Sequence, residues 1–166
     1  MIKRELYMNR IRPFIGGELI KVMTGIRRSG KSVMLELIKE ELAEAGVAPS
    51  QMISINFEDM RYSHLQTATA LHDEIIKRAE GIEGKAYLFF DEIQEVEGWE
   101  KCVNSLRVAL DCDIYITGSN AKLLSGELAT YIGGRYVEFV IYPFSFAEFL
   151  ELYHTIAPSD SIQQCF

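Results

Sequence analysis

Short apolar runs alternate with longer amphipathic stretches along this chain. The apolar runs predict five strands, at residues 19–25, 52–57, 86–92, 113–119 and 135–143. The amphipathic stretches predict helices, at residues 31–45, 66–80, 98–110, 121–131 and 145–154. The third strand is almost wholly apolar, as expected when helices cover both faces of a parallel sheet. The pattern therefore predicts an α/β fold built from strand–helix units.

The composition is ordinary for a soluble globular protein. The chain has 166 residues, of which 48% are hydrophobic and 25% charged, and no apolar run approaches the roughly 18 residues that a membrane span needs. A net charge of −7 provides no basic surface for nucleic acid. The three cysteines form no CxxC pair, and the charged N-terminus does not have the form of a signal peptide. We expect a cytoplasmic protein with no membrane partner. The charge of this chain does not support a nucleic-acid partner, although another domain could contact DNA.

The segment GIRRSGKS, residues 25–32, matches the phosphate-binding pattern G-x-x-x-x-G-K-[ST]. It lies between a predicted strand and a predicted helix, as this loop requires. Its backbone N–H groups and the helix N-terminus would face one anion. Lys31 would reach the β- and γ-phosphates, and Ser32 would bind Mg²⁺. The expected nucleotide-binding residues are Gly25, Ile26, Arg27, Arg28, Ser29, Gly30, Lys31, Ser32 and Val33.

Two carboxylates follow the third predicted strand, in YLFFDE. Asp91 ends the strand, at the sheet edge where α/β proteins bind their ligands, and is suited to Mg²⁺ coordination. Glu92 comes next and could deprotonate a water that attacks the γ-phosphate. A GTPase would carry N-K-x-D, which is absent from the sequence. A kinase acting on a small molecule has less need of a water-activating carboxylate, so ATP hydrolysis fits best.

Further polar residues follow the later strands. Ser119 and Asn120, in ITGSN, could contact the attacking water or the γ-phosphate, although helix capping is an equal alternative. Arg135, in GGRY, is either a surface charge or an arginine finger that acts in cis or from a neighbouring copy. We include Lys31, Glu92, Asn120 and Arg135 as candidate catalytic residues.

Three segments together resemble the prokaryotic AAA-type ATPases of the signal-transduction (STAND-like) branch, whose ATPase domain is usually followed by a C-terminal domain of unknown function. They are IKVMTGIRRSGKS, YLFFDEIQEVEGWE and YITGSNAKLLSGELATYIGGRYVEFVIYPFSFAEFLE. The resemblance implies a three-layer α/β/α P-loop fold with a parallel five-stranded sheet in the order 5-1-4-3-2. By the same likeness, residues 25–32 are Walker A, Asp91 and Glu92 are Walker B, and Ser119 and Asn120 form the sensor-1 region.

The chain departs from that family in length. Family members carry a helical lid and a C-terminal domain, for which there is no room here. We expect an ATPase core at 19–154, an N-terminal extension at 1–18 that packs on it, and a tail at 155–166 that marks a truncation. A missing C-terminal domain or a second copy would complete the site. Because a lid normally excludes water from the nucleotide, we expect weak hydrolysis, and a nucleotide-sensing module with negligible turnover is the alternative.

Overall fold

The computed structural model describes residues 3–119, 123, 132–146, 148–150 and 153. The α-helices are α1 (Glu5–Ile11), α2 (Lys31–Glu44), α3 (Ala68–Ala79) and α4 (Trp99–Ala109). The strands are β1 (Ile20–Thr24), β2 (Met52–Asn56), β3 (Ala86–Asp91), β4 (Cys112–Gly118) and β5 (Tyr136–Val140). Short 3₁₀ helices lie at Arg12–Phe14, Pro49–Gln51, Met60–Leu65 and Ile93–Glu95.

The strands form one five-stranded sheet in the order β2-β3-β4-β1-β5. Every neighbouring pair is parallel. Read from the other edge, this is 5-1-4-3-2, which confirms the order implied by the family resemblance. Because the strands are parallel, the carboxyl ends of β1, β3 and β4 meet at one edge of the sheet, where Gly25, Asp91 and Ser119 lie.

Helices cover both faces of the sheet, and each face has its own hydrophobic core. On one face α3 and α4 pack Leu71, Ile75, Val103 and Leu106 against apolar strand residues. On the other face α1 and α2 pack Ile11, Met34 and Ile38 against strand residues that include Met23, Phe89 and Tyr115. The alternation of side chains along each strand supplies both cores, since successive residues point to opposite faces. The result is the predicted three-layer α/β/α arrangement.

The element bounds differ from the sequence predictions in several places. The segment Met60–Leu65 forms a 3₁₀ helix, so α3 begins only at Ala68, where Thr67 caps it by accepting a hydrogen bond from the Ala70 amide. β5 ends at Val140, three residues earlier than predicted. The predicted helix 121–131 lies outside the described residues, apart from residue 123. Of the predicted helix 145–154, residues 146, 148–150 and 153 are helical.

The N-terminal segment contains a helix that the hydrophobic pattern did not predict. α1 buries Tyr7, Met8 and Ile11 in the core beside α2. Phe14 and Ile15, which follow this helix, pack against the same core. Across the described part of the chain, no helix is both long enough and apolar enough to cross a membrane.

Candidate functional site

The phosphate loop connects the end of β1 to the start of α2. Gly25 follows β1, and a Cβ atom at this position would lie 2.3 Å from the carbonyl oxygen of Ile141. The close approach arises because the chain leaving β5 pairs with β1, with the Ile141 amide donating to the Thr24 carbonyl at 2.7 Å. Gly25 is therefore required by backbone packing as well as by the loop itself. At the other end Gly30 caps α2 with a φ of 95°, a conformation that favours glycine.

Lys31 is the first residue of α2, and its side chain is only 4% exposed. Its Nζ donates to the carbonyl oxygens of Gly25 at 3.4 Å and Ile26 at 3.3 Å. The same Nζ lies 3.5 Å from Oε1 of Glu92. Lys31 thus folds back over the loop. Its ammonium group contacts two loop carbonyls and the carboxylate of Glu92, the residue expected to activate water.

The two carboxylates leave β3 in different directions. Asp91 ends the strand and is buried, and its Oδ1 accepts a hydrogen bond from the Thr117 hydroxyl. Glu92 adopts a left-handed backbone conformation, with φ of 55° and ψ of 49°. This turn ends the strand, and the side chain of Glu92 meets Lys31 and Gln94, whose Nε2 donates to Oε2 at 2.5 Å. Asp91 is therefore held by Thr117 at the end of the neighbouring strand, and Glu92 lies beside Lys31.

The site residues line two neighbouring depressions at this edge of the sheet. The larger, about 710 Å³, is lined by residues that include Arg27, Lys31, Glu92, Gln94 and Ser119. The smaller, about 260 Å³, is lined by residues that include Ser32, Val33, Asn56 and Asp91. The larger depression thus contains Lys31, expected to bind phosphate, and Glu92, expected to act as the base. The smaller contains Ser32 and Asp91, the two expected metal ligands.

The donor set fits a nucleotide with a hard divalent cation. Ser32 and Asp91 supply a hydroxyl and a carboxylate to one small pocket, and oxygen ligands of this kind suit Mg²⁺. Within the loop, the Ser29 hydroxyl is buried and has no hydrogen-bond partner among the described residues. A buried hydroxyl without a partner costs free energy unless a ligand or water satisfies it. Ser32, Asp91 and the loop are accordingly the residues that would hold Mg²⁺ and the phosphates.

The remaining loop residues point outward. Ile26, Arg27 and Arg28 are exposed, and Arg28 has a left-handed φ of 66°. Arg27 lines the larger depression and lies 3.4 Å from Glu58 on its rim. An exposed pair of this kind contributes little to stability, so the Arg27 side chain is free to contact a ligand there.

Two of the predicted catalytic residues are not part of this cluster. Asn120 lies outside the described residues, whereas its neighbour Ser119 lines the larger depression. The carbonyl of Arg135 accepts a hydrogen bond from the amide of Ile20, at the start of β1. The phosphate loop begins after the other end of β1, which has five residues. A strand of that length spans about 17 Å. Arg135 therefore lies at the amino-terminal ends of the strands, away from the cleft of its own chain at their carboxyl ends. Its action on a neighbouring copy stays a prediction.

Sequence reasoning missed three residues that support the site. Thr117 joins Asp91 to the Glu92 amide, which donates to the Thr117 hydroxyl at 3.0 Å. Gln94 holds Glu92, and Arg4 donates a hydrogen bond to the phosphate loop at Ser29. Gln94 stands two residues after the predicted base and could have been found by its proximity. Threonine is common in strands, and Arg4 is distant in sequence, so neither carries a local signal.

Comparison with known sequences agrees with this geometry. The profile of the AAA domain matches residues 18–150. The chain is 48% identical over 150 residues to an uncharacterized protein of Haemophilus influenzae, covering 90% of this chain and 38% of that protein. It is 41% identical over 133 residues to an uncharacterized protein of Methanocaldococcus jannaschii, covering 80% of this chain and 28% of that protein. The chain thus matches well under half the length of either relative.

The fold is also similar to that of the Orc1 protein of Aeropyrum pernix, a structure solved in complex with DNA. The TM-score is 0.64 at 18% identity, and the match covers 95% of this chain and 50% of that one. Identity this low shows the shared fold alone. The family profile covers most of the chain, and the phosphate loop and the sheet order agree with it. The chain belongs to the AAA domain family and carries a P-loop ATPase-type domain.

Proposed function

We propose that this chain is an Mg²⁺-dependent domain that binds and hydrolyses ATP. The observation that carries the proposal is the 3.5 Å approach of Glu92 Oε1 to Lys31 Nζ at the phosphate loop. It places a carboxylate beside the lysine that would bind the γ-phosphate. A phosphate site that served binding alone would have no need of a carboxylate there, because it repels the ligand's negative charge.

Each residue then has a separate task. Lys31 and the loop N–H groups would bind the phosphates. Ser32 and Asp91 would hold the metal ion, which would supply neutralisation of phosphate charge. Phosphate oxygens that enter the loop compete with Glu92 for the Lys31 ammonium. Glu92 is thereby released to accept a proton from water, while Gln94 keeps its other oxygen in place.

The reaction is a hydrolysis. The water oxygen forms a bond to the γ-phosphorus, the bond from the γ-phosphorus to the bridging oxygen breaks, and its electron pair leaves with ADP. Glu92 accepts the water proton as general base, which typically contributes about 10²–10⁴-fold to the rate. All the residues named in these steps belong to one chain, and Arg135 of a neighbouring copy could stabilise the charge that develops.

The wider setting is also a proposal. The curated relatives are much longer than the matched region, so a C-terminal domain or a second copy would respond to the nucleotide state of this domain.

The thiols bear on the cellular compartment. Cys102 and Cys112 are both buried, free thiols, and burial raises the pKa of Cys112 to about 11. Unreactive thiols of this kind suit the cytoplasm, where we place the protein.

Phosphate release from Mg·ATP by the wild type and by Glu92→Gln tests the proposal. We expect the substitution to lower kcat by about 10²-fold or more while the Kd for ATP changes little. Glu97→Gln, an exposed carboxylate five residues further along the chain, is the matched control and should retain activity. Lys31→Ala should abolish ATP binding.

One result would contradict hydrolysis, and another would contradict the role of Glu92. If the wild type and Glu92→Gln bound ATP equally and were both inactive, the chain would be a nucleotide-sensing module instead. If Glu92→Gln kept the wild-type rate, Glu92 would not be the base. If specific activity rose with protein concentration and Arg135→Ala removed that rise, Arg135 would act in trans.

A further inference from the structure

Arg4 links the phosphate loop to two other segments of the chain. It stands just before α1 and is only 3% exposed. Its Nη1 donates to the Ser29 carbonyl at 2.9 Å, its Nη2 to the Tyr142 carbonyl at 2.7 Å, and its Nε to Glu148 Oε1 at 2.9 Å. One guanidinium therefore joins the loop, the chain that leaves β5 and the helical segment that follows.

The surroundings of Arg4 fix its position. Its Cζ lies 4.5 Å from the ring centre of Tyr7 and 5.1 Å from that of Phe144. The Tyr7 hydroxyl accepts a hydrogen bond from the Tyr142 amide at 3.1 Å, so residue 142 is held through both its N–H and its C=O. A buried guanidinium with three acceptors and two rings has little freedom to move.

Glu148 connects this cluster to the start of the following helical segment. Its Oε2 accepts from the Ser145 amide at 2.8 Å, while its own amide donates to the Ser145 hydroxyl at 3.2 Å. This reciprocal pair is a capping box. Since the other carboxylate oxygen accepts from Arg4, any shift of the capped segment acts directly on the guanidinium.

The contact with Ser29 acts on the loop backbone. In a trans peptide the C=O and the next N–H belong to one rigid plane and point in opposite directions. Arg4 holds the Ser29 carbonyl, so the Gly30 N–H is directed away from Arg4, toward the opposite side of the loop. The packing is close, because a Cβ on Gly30 would lie 3.0 Å from Nη1 of Arg4.

We propose that Arg4 is a positioning residue of the nucleotide site, which sets the phosphate affinity of the loop according to the position of Tyr142 and Glu148. The proposal rests on the nucleotide binding proposed above and extends it to a part of the chain outside the cleft. Nucleotide binding and the docking of this segment are then linked, and each strengthens the other.

ADP binding measured by calorimetry tests the proposal, with every variant first shown to be folded by circular dichroism at the temperature used. For Arg4→Gln we expect the Kd for ADP to rise about tenfold or more, as when a charge-assisted hydrogen bond that orders a binding loop is lost. Arg12→Gln is the matched control. It removes an arginine that pairs with Glu5 and Glu41 in the same N-terminal region, and it should leave the Kd within about twofold.

A purely structural role for Arg4 predicts a different result. Arg4→Gln would then lose stability while its folded fraction bound ADP like the wild type, and this outcome would overturn the proposal while leaving the proposed function intact. Met8→Ala, which weakens α1 in the core without touching the loop carbonyl, shows what instability alone does to the Kd. If the wild type bound neither ADP nor ATP, both proposals would fail.

A second variant guards against misfolding. If Arg4→Gln does not fold, Arg4→Lys retains the charge but cannot reach all three acceptors in the same geometry. Weakening of ADP binding by about fivefold or more would support the proposal, and an unchanged Kd would overturn it. Amide exchange at Tyr142 and Ser145, slowed by ADP in the wild type but not in Arg4→Lys, provides a readout that a structural role would not move.

Discussion

Thr117 donates its hydroxyl proton to Asp91 and thereby ties β4 to the carboxylate that ends β3. The same hydroxyl oxygen accepts from the Glu92 amide at 3.0 Å. Thr117→Val keeps the shape but removes both hydrogen bonds. We expect the rate of Mg²⁺-dependent ATP hydrolysis at a given Mg²⁺ concentration to fall about 10–100-fold, as when the hydrogen-bond partner of a metal-ligating carboxylate is lost. Phosphate release as a function of Mg²⁺ concentration measures this effect.

Thr117→Ser is the control, because it restores the hydroxyl and removes only a methyl group. It should retain most of the activity. We also expect Thr117→Val to lower the free energy of unfolding by about 1–3 kcal/mol, since Asp91 is buried and loses a donor. Equal Mg²⁺ dependence in the valine and serine variants would show that Asp91 needs no orientation by Thr117.

Gln94 should affect turnover more than binding. Its Nε2 donates to Glu92 Oε2 at 2.5 Å, and Gln94 lines the same depression as Lys31. Gln94→Leu removes the donor, so Glu92 can adopt more orientations around the attacking water. We expect kcat to fall by about tenfold, within the range that positioning contributes, with KM for ATP nearly unchanged. Gln66→Leu, at another position lining that depression, is the matched control. A rise in KM at constant kcat would instead make Gln94 a binding residue.

The helices and strands were easier to predict from the sequence than the side-chain contacts that support the site. The motif around Lys31 and the apolar strand before Asp91 are local patterns, so their positions follow from residues close in sequence. The strand order followed from the family resemblance, because periodicity does not say which strands are neighbours. α1 was missed because it has only seven residues and buries just three, Tyr7, Met8 and Ile11.

Arg4 shows why supporting residues are hard to predict. Its three acceptors lie 25, 138 and 144 residues away along the chain, at Ser29, Tyr142 and Glu148. Only the folded sheet brings these groups together, so a local reading finds no more than an arginine among other charges. Arg135 shows the converse. Its position in sequence was compatible with a surface charge or with an arginine finger in cis or in trans. The parallel pairing of β5 with β1 places it at the end of the strands opposite the loop, so the surface charge and the trans finger are the alternatives that remain.

A buried ion pair between the adjacent strands β1 and β4 should be strongly coupled to folding. Lys21 and Asp113 are both fully buried and form a hydrogen-bonded pair, and Asp113 also accepts from Tyr115 and from the Gly16 amide, each at 2.7 Å. Lys21→Met leaves the carboxylate without its counter-charge. We expect the free energy of unfolding to fall by about 3–5 kcal/mol, measured by urea denaturation. Lys85→Met, which breaks the more exposed pair with Asp111, should cost less than about 1 kcal/mol.

The Arg4–Glu148 pair predicts a pH-dependent contribution to stability. Burial by itself would raise the pKa of Glu148, but hydrogen bonds from Arg4 and Ser145 lower it below the ordinary value of 4.5. A carboxyl group with a lowered pKa stabilises the fold above its unfolded pKa, and this stabilisation is lost as the pH falls through the folded pKa. Glu148→Gln should therefore be less stable than the wild type at neutral pH, by about 1–3 kcal/mol for a hydrogen bond to a charged group.

The difference in free energy of unfolding between the wild type and Glu148→Gln is the quantity to follow. Urea denaturation should show a constant difference between pH 6 and pH 8. The difference then shrinks as the pH falls below about 4.5, because the carboxyl of the unfolded chain takes up its proton before that of the folded protein does. Glu44→Gln, an exposed change at the end of α2, should show no such trend. A difference between wild type and Glu148→Gln that stayed the same across this pH range would mean that glutamine loses packing or capping, and that the charge on Glu148 contributes nothing to holding Arg4.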